Sequence, residues 1–315
     1  MSTPFLVGIV GARGHTGREL IRLIAGHSEL MLAFAVSREF AGRAVAEIAP
    51  EDKDECVFEA LGPEEAAKRR ADVVILALPD GASKAYVDAL EKFAPDRIII
   101  DLSADYRFDD NWVYGLPELN RAKINRAKRI ANPGCYATAM QLAIAPLLPD
   151  LEGTPSVFGV SGYSGAGTTP SPRNDVDRLK DNLMPYALAG HKHEREATRH
   201  LGTQVRFSPH VHPAFRGLMV TVHIPLAKAM SLADLTQRFD DKFGNDPLIF
   251  LRSDAPELKE GTNLTGVIIG GFTLSEDGKC AVVVAAEDNL LKGAAVQAIQ
   301  NVNLALGLNE TEGLV

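Results

Sequence analysis

Short apolar runs alternate with helical patterns over the first third of the chain. Residues 5–10, 31–36, 73–78 and 98–101 are continuous apolar segments, the signature of strands buried on both faces of a parallel sheet. Between them, residues 18–25, 64–70 and 83–93 space their apolar positions as helices do. Strand, helix, strand in this order predicts a doubly wound α/β sheet, in which ligands bind at the carboxyl ends of the strands. After Pro133 the pattern changes. Residues 157–160, 204–208, 218–224, 265–273 and 281–286 read as strands with long connections, a mixed or antiparallel sheet. Helical spacing recurs at 135–148, 178–183, 193–201 and 232–243. This half is predicted to be an α+β catalytic domain. Residues 289–306 predict one amphipathic helix, long enough to return to the first domain. The expected division is 1–133, completed by 289–315, and 134–288.

Composition narrows the function classes. The 315 residues carry 33 Lys and Arg against 41 Asp and Glu, a net charge of −8, which argues against an extended nucleic-acid surface but not against a local anion site. The cysteines, Cys56, Cys135 and Cys280, are too few and odd in number for a disulfide scaffold, so a reducing, cytoplasmic setting is expected. No apolar run approaches the roughly 20 residues that cross a bilayer, and the start lacks the basic stretch of a secretory signal. The charge runs 51–55 and 68–70 read as solvated faces.

Directly after the first strand stands Gly11-Ala12-Arg13-Gly14-His15-Thr16-Gly17, leading into a helix. Glycines there permit the tight turn and let backbone N–H groups approach a pyrophosphate at the helix start. The spacing is G-x-x-G-x-x-G, which by itself also fits a plain strand-to-helix turn; its place between strand and helix favours a nucleotide. Where the second strand ends, Ser37-Arg38-Glu39 offers an arginine fork and a hydroxyl, the donors that suit the 2′-phosphate of NADP. Glu39 would repel that phosphate if it pointed inward. Pro79 and Ser103 lie in the loops that close the third and fourth strands, where a nicotinamide ribose would rest; both loops also read as ordinary turns.

In Asn132-Pro133-Gly134-Cys135-Tyr136, Pro-Gly interrupts the chain and a long helical pattern starts at the cysteine. A thiol at a helix N-terminus is favoured as thiolate, and the unpaired N–H groups there form an oxyanion hole. Cys56 and Cys280 read as inert thiols. A cysteine nucleophile needs a base, and His191-Lys192-His193 offers two imidazoles, with Glu196 three residues beyond His193 on the same helical face, placed to orient the ring or to bind substrate. No zinc spacing such as H-E-x-x-H occurs, so no metal is expected. The run 161–167, rich in small residues, reads either as an anion-binding nest or as a surface loop.

Together these segments resemble the N-acetyl-gamma-glutamyl-phosphate reductase family, relatives of aspartate-semialdehyde dehydrogenase. The resemblance runs through the glycine turn, Asp101-Leu102-Ser103-Ala104-Asp105, Tyr114-Gly115-Leu116-Pro117-Glu118, the Asn-Pro-Gly-Cys-Tyr stretch, 161–167, the His-x-His pair, Phe215-Arg216-Gly217, Gly261-Thr262-Asn263 and 289–303. It implies a Rossmann-type domain joined to a catalytic domain of the semialdehyde dehydrogenase type, with NADPH as cofactor. Cys135 would be the nucleophile and a histidine of the pair the acid/base. The expected cofactor residues are Gly11, Arg13, Gly14, Thr16, Gly17, Ser37, Arg38, Pro79, Ser103 and Asn289. Those for substrate are Arg107, Asn132, Ser164, Gly165, Glu196 and Arg216, the two arginines as anion clamps. The expected partner is a small acyl phosphate, with neither nucleic acid nor membrane, in a homodimer or homotetramer. Two departures stand out: Glu194-Arg195-Glu196-Ala197 replaces the usual x-Pro-Glu-Ile, and Thr168 follows the glycine loop where a basic residue is common. The alternatives are a sister reductase of aspartyl or carrier-bound aminoadipyl phosphate and a non-catalytic NADP-binding redox sensor.

Overall fold

The computed structural model describes residues 3–50 and 56–314; the charge run at 51–55 lies outside them. The chain divides into two compact units, Met1–Pro133 with Ala294–Val315, and Gly134–Gly293.

The first unit is built on a seven-stranded sheet: β1 (Phe5–Val10), β2 (Leu30–Val36), β3 (Phe58–Glu59), β4 (Val73–Leu76), β5 (Ile98–Asp101), β6 (Val113–Tyr114) and β7 (Arg129–Ala131). Their order is β3-β2-β1-β4-β5-β7-β6 and every pairing is parallel. The helices are α1 (His15–Ala25), α2 (Pro63–Lys68), α3 (Lys84–Phe93) and α4 (Pro117–Ile124). Strand order reverses between β1 and β4, so the crevice at the switch point opens above the carboxyl ends of these two strands. Val7, Ile9, Val73, Ile75, Ile99 and Ile100 are buried to 1 % exposure or less, as continuous apolar runs require of a sheet covered on both faces. The short strands β3, β6 and β7 carry too few apolar positions to register as periodic.

The second unit holds β8 (Ser156–Gly162), β9 (Met184–Pro185), β10 (Arg206–His212), β11 (Leu218–Pro225), β12 (Ile249–Leu251), β13 (Val267–Leu274) and β14 (Cys280–Glu287), with helices α5 (Cys135–Ile144), α6 (Val176–Leu179), α7 (Lys192–Leu201) and α8 (Leu232–Phe243). The sheet runs β12-β13-β14-β11-β8-β10-β9 and is mixed: β8 with β10 and β12 with β13 are parallel, the other pairs antiparallel. α5 lies on β11 and β14 beside α7, and all its residues from Tyr136 to Ile144 are buried. The helical pattern at 135–148 is cut at Ile144, where Pro146 and Pro149 shorten the rest to a 3₁₀ turn. The pattern at 178–183 becomes one turn of helix, α6, followed by β9.

The last segment differs from the expected amphipathic helix. Residues Leu291–Ala295 form a π-turn, and α9 (Val296–Leu306) is buried on every side from Val296 to Ala305. α9 packs against α1, α4 and β5. The polar positions that read as a solvent face are internal hydrogen-bonding groups: Gln297 and Asn301 donate to the Gly115 carbonyl at 2.7 and 2.9 Å, and Asn303 donates to the Glu312 carbonyl at 2.9 Å. No helix among the described residues is long and apolar enough to cross a membrane.

Candidate active site

The glycine turn follows β1 as the sequence predicts, and its three glycines differ physically. Gly11 has φ +88°, and a Cβ there would lie 2.2 Å from the Ala77 carbonyl oxygen; a Cβ on Gly17 would lie 2.5 Å from that of Ala12. Both positions need glycine for packing. A Cβ on Gly14 would meet only the Gly11 carbonyl, at 3.7 Å. Gly14 is also the N-cap of α1 and offers no side-chain cap. The start of α1 is therefore sterically open to an anion. The N–H groups of Gly11 and Ala12 are not available to it, because both donate to the Val36 carbonyl, and that of Gly14 donates to the Gly11 carbonyl at 3.3 Å.

At the end of β2, Ser37 is buried and its Oγ accepts the Phe40 N–H at 3.2 Å. Arg38 is exposed, and among the described residues no carboxylate pairs with it. The neighbouring Glu39 is drawn to Arg13 at 2.6 Å. The acid that would oppose a 2′-phosphate is thus neutralised by a residue of the glycine turn. Pro79 and Ser103 sit on two loops knitted together: Asp105 accepts the Gly81 N–H at 2.7 Å and Asp80 accepts the Ala104 N–H at 3.0 Å. Beneath them Ser83 and Ser103 donate to the two oxygens of buried Asp101, at 2.5 and 2.6 Å. Burial pushes the Asp101 carboxyl up, against these bonds and Arg107.

Arg107 and Asn132 are hydrogen-bonded to each other and to the chain around them. Arg107 Nε donates to the Asn132 carbonyl at 2.8 Å and its Nη2 to the Leu102 carbonyl at 2.7 Å. The Asn132 side chain donates to the Ala294 carbonyl at 3.3 Å and accepts from Asn301 at 3.0 Å.

In the second unit Cys135 is the first residue of α5, after the N-cap Gly134. The Gly134 N–H donates to Glu196 Oε1 at 2.9 Å, and Glu196 is fully buried. This carboxylate fixes the helix start that carries the thiol. Gly293 also lies against it: a Cβ at 293 would be 2.6 Å from Cys135 Cβ and 3.0 Å from Glu287 Oε1.

The two histidines of the pair have different tasks. His191 is the N-cap of α7, its Nδ1 accepting the His193 N–H at 3.1 Å. It is packed against Tyr136, Tyr186 and Phe207. Burial, and then the charges of Lys192, Arg173 and Arg195, bring its pKa down to about 4. His193 is equally buried, its ring 4.8 Å from that of His191 and 6.1 Å from Tyr136. Tyr136 donates to the His210 carbonyl at 2.8 Å. Burial holds the Tyr136 and Tyr186 phenols well above their ordinary pKa, and the negative charge of Cys135 adds to this at both rings. Cys135, His191, His193, Tyr136 and Tyr186 therefore form one cluster.

The glycine loop after β8 is tied to Asn289, just after β14. Asn289 Nδ2 donates to Ser164 Oγ at 2.9 Å while its Oδ1 accepts the Gly217 N–H at 3.0 Å. A Cβ on Gly165 would be 3.4 Å from Ser161 Oγ. Arg216 donates to Asn263 Oδ1 at 2.9 Å and lies 3.5 Å from buried Asp288. Tyr186, Gly293 and Glu287 were not singled out by sequence; Gly293 stood within a run of small residues that reads as helix interior. Among the described residues no group of three His, Cys, Asp or Glu gathers as a metal site.

Two family models match: "Semialdehyde dehydrogenase, NAD binding domain" over residues 6–127 and "Semialdehyde dehydrogenase, dimerisation domain" over 135–289. The N-acetyl-gamma-glutamyl-phosphate reductase of Stenotrophomonas maltophilia is 54% identical over 98% of this chain and 97% of its own length, and that of Xylella fastidiosa 52% identical over 98% and 93%. Among solved structures, aspartate semialdehyde dehydrogenase II of Vibrio cholerae superposes with a TM-score of 0.77 at 18% identity, covering 97% of this chain and 99% of the other. The NADP-bound aspartate semialdehyde dehydrogenase of Candida albicans gives 0.75 at 16%, covering 96% and 99%. With both domains and nearly the full length matched, the chain belongs to the semialdehyde dehydrogenase family, in the branch of the N-acetyl-gamma-glutamyl-phosphate reductases.

Proposed function

We propose that this chain reduces N-acetyl-gamma-glutamyl phosphate with NADPH, giving N-acetyl-L-glutamate 5-semialdehyde and phosphate, as a step of arginine biosynthesis. The observation that carries the chemistry is Cys135 at a helix start anchored by Glu196, clustered with the His191–His193 pair. Relatives more than half identical in sequence carry the reductase name. We assign cofactor binding to 1–133 with the C-terminal helix, and the covalent chemistry to 134–288.

His193 takes the thiol proton, and the Cys135 sulfur attacks the γ-carbonyl. A C–S bond forms, the C–O bond to phosphate breaks, and phosphate leaves with the electron pair. The N–H groups of the first turn of α5 stabilise the developing oxyanion. NADPH, when bound, supplies the hydride that reduces the resulting thioester. Collapse of the thiohemiacetal expels the Cys135 thiolate, to which His193 returns its proton. His191 is the lesser candidate for this role, because its Nδ1 caps α7 and its ring stays neutral. For the cofactor we assign the pyrophosphate to Gly14 and the start of α1, and the 2′-phosphate to Arg38 and Ser37. Pro79 and Ser103 line the ribose side.

The segment matching a dimerisation domain supports self-association, and we propose a homodimer or homotetramer. The three cysteines are free, which fits a cytoplasmic enzyme. The test is NADP⁺ reduction with N-acetylglutamate semialdehyde plus phosphate, set against aspartate semialdehyde plus phosphate. Preference for the first is expected, with turnover abolished in Cys135→Ser while NADPH still binds. Preference for the second would overturn the substrate, and substantial turnover in Cys135→Ser would overturn the mechanism.

A further inference from the structure

Arg173 stands on the loop between the glycine run 161–167 and α6, a loop held by one side chain. Asn174 Oδ1 accepts the N–H of Ser171 at 2.7 Å and its Oγ at 3.2 Å, while Nδ2 donates to the carbonyls of Gly167 and Thr169 at 2.9 and 2.8 Å. Its neighbour Arg173 is thereby presented from a built turn. The guanidinium carbon lies 5.0 Å over the Tyr186 ring, and the side chain also hydrogen-bonds to Tyr186. The Tyr186 ring packs edge-on against His191 at 5.5 Å, and His191 lies 4.8 Å from His193. The same phenol senses the charge of Cys135, and His191 senses that of Arg173. Arg173 thus borders the cluster that carries the nucleophile.

What distinguishes it from the other arginines near the site is its partners. Arg107 is bonded to two main-chain carbonyls, and Arg216 to Asn263 and Asp288. Among the described residues no carboxylate lies within ion-pair distance of Arg173. Stacking uses only the face of a guanidinium, so this half-buried group has donors at its edge beyond the one that meets Tyr186. The charges of Lys192 and Arg195 also reach His191, so the local field there is positive in a chain whose net charge is −8.

We propose that Arg173 binds an oxyanion of the substrate, its phosphoryl group or its α-carboxylate, and holds it beside the Cys135 cluster. The proposal rests on the reductase reading above. A planar fork recognises either anion through two parallel hydrogen bonds, which lysine cannot reproduce.

The test uses the full-length enzyme in the oxidative direction, with inorganic phosphate and N-acetylglutamate semialdehyde varied separately for wild type, Arg173→Gln and Arg173→Lys. Arg173→Gln is expected to raise one KM by about 10- to 100-fold while kcat changes less, with Arg173→Lys intermediate. A rise in the phosphate KM identifies the phosphoryl group as the ligand, and a rise in the semialdehyde KM identifies the carboxylate. Arg173→Lys keeps the charge, so it decides the question if Arg173→Gln does not fold. Both KM values within about twofold of wild type would overturn the role of Arg173 alone; a wild type without turnover would overturn the reaction and this proposal with it.

Discussion

The carboxylate of Glu196 accepts the backbone N–H of Gly134, one residue before Cys135, at 2.9 Å. Glu196 stands three residues after His193 on α7, so this hydrogen bond joins the helix carrying the proposed base to the start of the one carrying the nucleophile. Replacing it by alanine leaves a buried donor without its acceptor, a cost of about 1–3 kcal/mol. Glu196→Ala should slow turnover about 10- to 100-fold and slow alkylation of Cys135 by iodoacetamide, with little change in the KM for NADPH. Glu196→Gln keeps an acceptor oxygen and should stay within about fivefold of wild type. Equal losses in the two variants would mean that the negative charge matters, and that the position of the helix start does not.

Gly293 is the second support of that helix start. Its missing Cβ is what lets the π-turn approach Cys135 Cβ and Glu287 Oε1. Gly293→Ala forces a contact of 2.6 Å against backbone-anchored atoms, so α5 or the turn must shift. The expected cost is about 1–3 kcal/mol of stability, read as a lower urea midpoint, together with loss of the acyl-enzyme in a single-turnover experiment. An unchanged midpoint with full acylation would show that the turn has slack.

The parts of this fold legible in the sequence were those written by period. The strands β1, β2, β4 and β5 and the helices α3, α7 and α8 follow apolar spacing closely, and the thiol at a helix start follows from Pro133-Gly134 before a long helical pattern. What sequence could not separate was use from availability. Arg107, Arg216 and Arg173 are equivalent as letters; only packing shows that Arg107 meets main-chain carbonyls, Arg216 meets Asn263 and Asp288, and Arg173 meets a phenol. α9 misled for the same reason. Its Gln and Asn residues fall at helical spacing, and nothing local distinguishes a solvent face from side chains that meet buried carbonyls.

His191 makes the fold sensitive to acid. Burial lowers its pKa from 6.5 to about 4 in the folded protein. Between these values the unfolded chain takes up a proton that the folded one does not, so the contribution of His191 is complete above the unfolded pKa and is lost as pH falls toward the folded one. Lowering the pH from 7 to 5 should therefore remove roughly 2 kcal/mol through this group. His191→Asn retains an oxygen able to cap α7 without titrating. Its urea midpoint is expected to fall less than that of wild type between these two pH values. Parallel curves for the two proteins would assign the acid sensitivity elsewhere.

The glycines of the first turn should separate folding from cofactor binding. Gly11→Ala places a methyl against the Ala77 carbonyl at 2.2 Å with φ at +88°, and both steric overlap and left-handed backbone oppose it. A loss of stability of about 2 kcal/mol or more is expected, and cofactor binding should fall with it. Gly14→Ala is different, since its φ of −64° suits any residue and its Cβ meets only one atom, at 3.7 Å. Its thermal midpoint should stay close to that of wild type, while the NADPH Kd rises about tenfold or more, because the methyl projects where a pyrophosphate must approach the start of α1. Titration of NADPH fluorescence against both variants gives the comparison. A Gly14→Ala protein that binds NADPH as tightly as wild type would remove Gly14 from the pyrophosphate site and leave the glycine turn a packing device alone.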